Sequence, residues 1–129
     1  MASNTEPLLD PDAALDQVRA WQGEIDRMLA RTRTMSLRMR ELRVTASDPR
    51  HLVEVTINSS GALLDIRFGP RLPQYDPVHV ARIVMATVQT ARRQALRLTR
   101  EIIDETVGPD STAAREMIIS TAESLGEPA

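Results

Sequence analysis

From Pro11 to Leu42 the apolar positions fall at Val18, Trp21, Ile25, Met28, Met35, Met39 and Leu42, with Thr32 holding the one polar place in the row. The spacing alternates three and four without a slip, which is the signature of a heptad seam on a long helix. Asp10-Pro11 supplies an N-cap followed by proline at the first helical position. A helix of about 32 residues would run roughly 48 Å. Such a rod cannot bury its seam alone, so the pattern demands a partner helix.

The period then changes from helical to alternating. Leu42 to Ser47, "LRVTAS", turns β-branched, and Asp48-Pro49 makes a turn. His51 to Asn58 reads as a strand with Val53, Val55 and Ile57 on one face. "NSSG" is a hairpin turn in which Gly61 supplies positive φ. Ala62 to Phe68 returns as a strand with Leu64, Ile66 and Phe68 on one face.

After the irregular link "GPRLPQY", Asp76-Pro77 repeats the cap-then-proline start. A second long helix is expected from Pro77 to about Val107. Its seam is Val84, Val88, Ala91, Ala95, Leu98 and Ile102, and Gly108-Pro109 stops it. A shorter third helix is expected from Ser111 to Leu125, with Met117, Ile118 and Leu125 as its apolar face. The expected organisation is a flexible tail over residues 1–9, a helix-sheet-helix domain over 10–107, and a C-terminal helix and loose tail over 108–129. The fold class is α+β: long helix, small antiparallel three-stranded sheet, long helix, short helix.

Three strands bury little by themselves. Two copies whose sheets join, bringing two pairs of long helices together, would remedy both the small sheet and the wet seams. A homodimer is therefore expected, with Val53, Val55, Ile57, Leu64 and Ile66 as its candidate contact positions.

Composition adjusts this picture in a few places. Trp21, Phe68 and Tyr75 are the only aromatic residues, so the core is aliphatic. The chain has no cysteine, which excludes disulfides, thiolate metal sites and cysteine nucleophiles. No run of eighteen or more apolar residues suggests a membrane span. The acidic N-terminus, "MASNTEPLLDPDAALD", has no basic-then-apolar leader pattern, so the cytoplasm is the expected location.

All sixteen basic residues are arginine, and the formal net charge is -2. Charge is nonetheless segregated. Residues 1–26 carry six acids against Arg19; residues 27–43 carry Arg27, Arg31, Arg33, Arg38, Arg40 and Arg43 against Glu41. Residues 77–100 carry Arg82, Arg92, Arg93, Arg97 and Arg100 and no acid. From Glu101 onward seven acids face Arg115.

On the second helix, Arg82, Arg93, Arg97 and Arg100 fall within about 60° of one another, opposite the apolar seam. On the first, Arg27, Arg31 and Arg38 flank one side of the seam, and Arg33 and Arg40 the other. A lone stripe of this kind is ordinarily a solvated face. Two stripes doubled by dimerisation suit duplex phosphates, because guanidinium groups are planar, always charged and bidentate. With so few aromatics, stacking on single strands is not expected as the main mode.

No catalytic constellation assembles. His51 and His79 are isolated, Ser59-Ser60-Gly61 lacks a nucleophile-elbow context, and the five glycines make no phosphate loop. Asp104 and Glu105 are paired acids near a helix C-terminus without a catalytic arrangement. No enzyme activity, metal or cofactor is expected.

"VEVTINSSGALLDIRFGPRL", followed by a long helix, resembles the YbaB/EbfC family of nucleoid-associated proteins. Val53, Val55, Thr56, Ile57, Asn58 and Gly61 match its hairpin, while Gly69-Pro70-Arg71-Leu72 stands where Asp-Pro-x-Leu is usual. The resemblance spans roughly Ala14 to Ile103. It implies a helix, three strands and a helix, a tweezer-like dimer, and cytoplasmic, nucleoid-associated DNA binding without enzyme activity. All-arginine usage looks like that of actinobacterial members, some of which are associated with type VII secretion. That adds an alternative: a cytosolic helical adaptor for a protein partner of a secretion system.

Overall fold

The computed structural model describes residues 10–109 and 111–126. The expected tail over residues 1–9 and the last three residues lie outside that range. The elements are α1 (Pro11–Glu41), β1 (Arg43–Ser47), β2 (Val53–Asn58), β3 (Leu63–Phe68), α2 (Pro77–Thr106) and α3 (Thr112–Leu125), with a short 3-10 turn at Leu72–Gln74 before α2.

Both long helices start as their sequences dictate. The Asp10 carboxylate accepts from the Ala13 N–H at 2.8 Å, and the Asp76 carboxylate from the His79 N–H at 2.8 Å. Each satisfies one amide that the helix itself cannot. α1 ends where β-branched residues begin. There the Arg43 guanidinium donates to the Arg40 and Leu42 carbonyls at 3.1 and 2.8 Å, closing the helix C-terminus.

The sheet is antiparallel in the order β1-β2-β3. Val44 pairs with Ile57 and Ala46 with Val55; on the other side Val55 pairs with Ile66 and Val53 with Phe68. The pairs Thr56–Asp65 and Ile57–Leu63 leave Leu64 as the extra residue of a bulge in β3. The β1–β2 turn is organised by Asp48. Its Oδ1 accepts from Leu52 and Val53 N–H at 2.6 and 2.7 Å, and its Oδ2 from Arg50 N–H at 3.1 Å. The β2–β3 turn is organised by Asn58, whose Oδ1 accepts from the Ser60 and Ala62 N–H groups.

α2 lies across β1 and β2. Val88, Ala91, Ala95 and Leu96 pack on Val44, Ala46, Leu52, Val53, Val55 and Ile57. Ala91 and Ala95 are fully buried, and their small side chains let the helix approach the sheet closely. Past the sheet, Ile102 and Ile103 meet Met35 and Ala114, with Met39, Leu42, Val107, Met117 and Ile118 around them. α3 joins both clusters: Ala114 sits in the second, and Ala122 and Leu125 in the first.

The expected apolar face of α3 is thus present, with Ala114 and Ala122 buried deeper than Met117 and Ile118. Two expectations change. β2 begins at Val53 rather than His51, because His51 takes φ 55° to turn the chain. The seam of α1 exists, but within one copy it is covered only from Met35 onward. Val18, Trp21, Ile25 and Met28 remain 38–61% exposed.

Candidate nucleic-acid interface

The arginines fall in two places. Arg82, Arg93, Arg97 and Arg100 occupy the outer face of α2, all exposed, on the side away from Val88, Ala91 and Ala95. The angular reading of that helix is supported by Arg92. It lies off the stripe and turns toward the β2–β3 turn, where its Nε is buried without a hydrogen-bond partner among the described residues. On α1 the arginines do not gather at the sheet. Arg38, Arg40 and Arg43 stand at the root of the helix, while Arg27, Arg31 and Arg33 ride on the part that projects beyond the body.

Several guanidinium groups are already engaged. Arg38 pairs with Glu105 at 2.6 Å and Arg97 with Glu101 at 3.1 Å. Arg43 holds the end of α1, and Arg93 donates to the Thr90 hydroxyl at 3.2 Å. Among the described residues, Arg27, Arg31, Arg33, Arg40, Arg82 and Arg100 take part in no ion pair. The exposed pairs are weak holds, worth about 0–1 kcal/mol each, and a phosphate competes with them readily.

Two further arginines, outside the helical stripes, stand near the N-terminal end of α2. Arg50 donates to the Tyr75 hydroxyl at 3.4 Å, and Arg71 to the Arg50 carbonyl at 2.8 Å. Helical periodicity could not reveal them, since they sit in turns and meet only through the fold. A shallow apolar cavity of about 280 Å³ adjoins them, lined in part by Leu52, His79, Ile83 and Thr87.

The contact positions expected on the strands divide. Val53, Val55 and Ile57 are buried under α2 within a single copy, and β2 is flanked on both edges by its own neighbours. Leu64 and Ile66 lie on β3, an edge strand that α2 leaves largely uncovered. Leu63, Leu64 and Phe68 are about half exposed there. On α2, Val78 and Met85 continue the row that contains Arg92, on the side of the β2–β3 turn, and both are exposed.

Among the described residues, Asp48 is the one titrating group clearly displaced. Burial works to raise its carboxyl, but the Val53, Arg50 and Leu52 N–H groups outweigh it and hold it below the ordinary carboxylate range. It is a structural anchor beside the cavity. Among the described residues no group of three or more His, Asp or Glu could hold a metal, and no helix is long and apolar enough to cross a membrane.

A family model described as the YbaB/EbfC DNA-binding family matches residues 12–109, from the first turn of α1 to just past the end of α2. No curated protein matches the chain.

Proposed function

Because the chain belongs to the YbaB/EbfC DNA-binding family, whose members are nucleoid-associated, we propose that it binds duplex DNA as a homodimer in the cytoplasm, through arginine–phosphate contacts with low sequence selectivity. The observation that carries this reading is the exposed row of Arg82, Arg93, Arg97 and Arg100, which faces away from the core, three of the four lying in the C-terminal half of α2. Guanidinium groups spaced along one helix suit a backbone of regularly spaced charges better than any base edge.

The dimer contact of this proposal is β3. An edge strand presents unpaired amides and carbonyls, and this one adds half-exposed Leu63, Leu64 and Phe68, while α2 adds exposed Val78 and Met85. A second copy related by a two-fold axis satisfies both. The test is duplex binding followed across a salt series. Binding should weaken steeply with salt, by about 0.9 in log–log slope per phosphate neutralised. Replacing Arg93, Arg97 and Arg100 together with alanine should flatten that slope. Absence of duplex binding at low salt and micromolar protein would overturn the proposal.

A second reading is a helical adaptor for a protein partner. It is favoured by the uncovered apolar strip of α1 and by exposed Ile119 on α3. It predicts that a protein partner, and little DNA, accompanies the chain on purification.

A further inference from the structure

The free length of α1 carries a sequence pattern that reads the same in both directions. From Pro11 to Thr34 none of its side chains is fully buried; Met35 is the first that is. Along this stretch the inward row of the heptad is Ala14, Val18, Trp21, Ile25, Met28 and Thr32. The gaps are four, three, four, three, four. That row is symmetric about position 23, and position 23 is also the middle of the free length. Two copies laid antiparallel about that point would match Ala14 with Thr32, Val18 with Met28, and Trp21 with Ile25, each twice. The overlap would stop where residue 11 of one copy reaches residue 35 of the other, so neither helix runs into the body that already covers Met35.

We propose that the projecting α1 arms of two copies pair antiparallel, in this register, as a short two-stranded coiled coil. The occupant of the exposed strip is a second copy of the same strip. Three observations select it. The row is self-complementary only in the antiparallel sense, large residues meeting smaller or slimmer ones. About 24 residues at 1.5 Å each give roughly 36 Å of contact, or some three heptads, the length at which such pairing sustains itself. The charge is also directional: residues 10–26 carry five acids against Arg19, whereas residues 27–41 carry five arginines against Glu41. Parallel arms would stack Arg27, Arg31 and Arg33 beside their own copies. Antiparallel arms carry the acidic tip of each toward the basic length of the other.

This contact uses neither β3 nor the outer face of α2. If the β3 contact also forms, each pair of copies retains two arms with which to reach further pairs, and duplexes held by different pairs would be tethered. The pairing itself does not depend on DNA binding.

The sequence supplies its own reporters. Trp21 is the only tryptophan, is 61% exposed in a single copy, and lies at the centre of the row. With no native cysteine, single cysteines can be placed without background. Full-length Val18→Cys and Met28→Cys proteins, mixed and oxidised, should give the mixed disulfide in large excess over either self-linked product. Trp21 emission should move to shorter wavelength as concentration rises, and that shift should be lost in Ile25→Glu. Ile25 is exposed in the single copy, so the substitution leaves its core intact. A Leu64→Arg protein, altered at β3, should retain both the mixed disulfide and the shift. The proposal is overturned if Val18→Cys links chiefly to itself, which means parallel arms. It is equally overturned if Trp21 keeps the emission of a solvent-exposed indole at every concentration, which leaves the strip to a different protein.

Discussion

At the residue scale, the β1–β2 turn depends on one carboxylate. Asp48 accepts three backbone N–H bonds, and no other group in the turn takes those donors. Bonds to a charged acceptor are worth more than neutral ones, and stranding buried donors adds to the loss, so Asp48→Ala should cost about 3 kcal/mol in denaturant unfolding. Because the folded carboxyl titrates below its unfolded value, its contribution is complete above the unfolded pKa of about 3.9 and disappears as pH falls through the folded value. Asp48→Asn should therefore flatten the acid limb of a stability-versus-pH curve. Gly69 answers a different question. The family pattern has Asp at this place, but a Cβ here would lie 2.5 Å from the His51 carbonyl oxygen. The departure visible in the sequence thus has a steric cause that only the fold discloses: His51 turns with positive φ, and its carbonyl moves against position 69.

Single charges also tune the proposed interface. Glu101 holds Arg97 at 3.1 Å on the exposed face of α2 and sets a negative charge beside the stripe. Glu101→Gln should release Arg97, raise duplex affinity several-fold at low salt, and lose that advantage at high salt as screening grows. Unchanged affinity at low salt would remove this part of α2 from the contact surface.

At the scale of elements, the heptad and alternation patterns carried most of the information. α1, α2 and the strand positions Val53, Val55 and Ile57 were legible because each buries, or could bury, one periodic face. α3 was legible in extent but not in role. Its burial rests on Ala114, Ala122 and Leu125, and alanine carries little weight in a hydrophobicity pattern. In the fold, Leu125 packs so close to the β2–β3 turn that a Cβ on Gly61 would lie 2.8 Å from its Cδ2. α3 therefore ties the hairpin to α2 and to the root of α1. Leu125→Ala should cost about 2–5 kcal/mol by the usual cavity and transfer terms. Thermal unfolding that is unaffected by this substitution would mean the helix is not held.

At the scale of the whole molecule, the sequence pattern implied that one copy leaves apolar surface wet, and it placed Val53, Val55 and Ile57 among the candidate contact positions although they lie in the protomer's own core. Counting apolar strand positions cannot tell a central strand from an edge strand. The sheet order does: Val53, Val55 and Ile57 belong to the flanked central strand and to the protomer's own core, while Leu64 and Ile66 stand at the edge. The basic surface followed the same logic. The stripe on α2 was visible as angular clustering. That Arg27, Arg31 and Arg33 ride on a projecting arm, rather than at the sheet, required knowing where α2 stops covering α1.

Leu64→Arg, placed on the bulged edge strand, tests how these surfaces depend on one another. The side chain is 48% exposed in a single copy, so the substitution should leave the protomer folded. In a two-fold contact it sets two like charges face to face. At concentrations too low for the arms to pair, sedimentation should show the wild-type dimer and a monomeric variant. DNA binding should then change in a specific way. The slope of affinity against salt counts phosphates neutralised by the binding unit, at about 0.9 per contact. A monomer brings half the arginines of a dimer, so its slope should fall to roughly half, with affinity falling most at low salt. A variant that is monomeric yet keeps the full slope would show that one copy makes all the phosphate contacts and that β3 serves assembly alone.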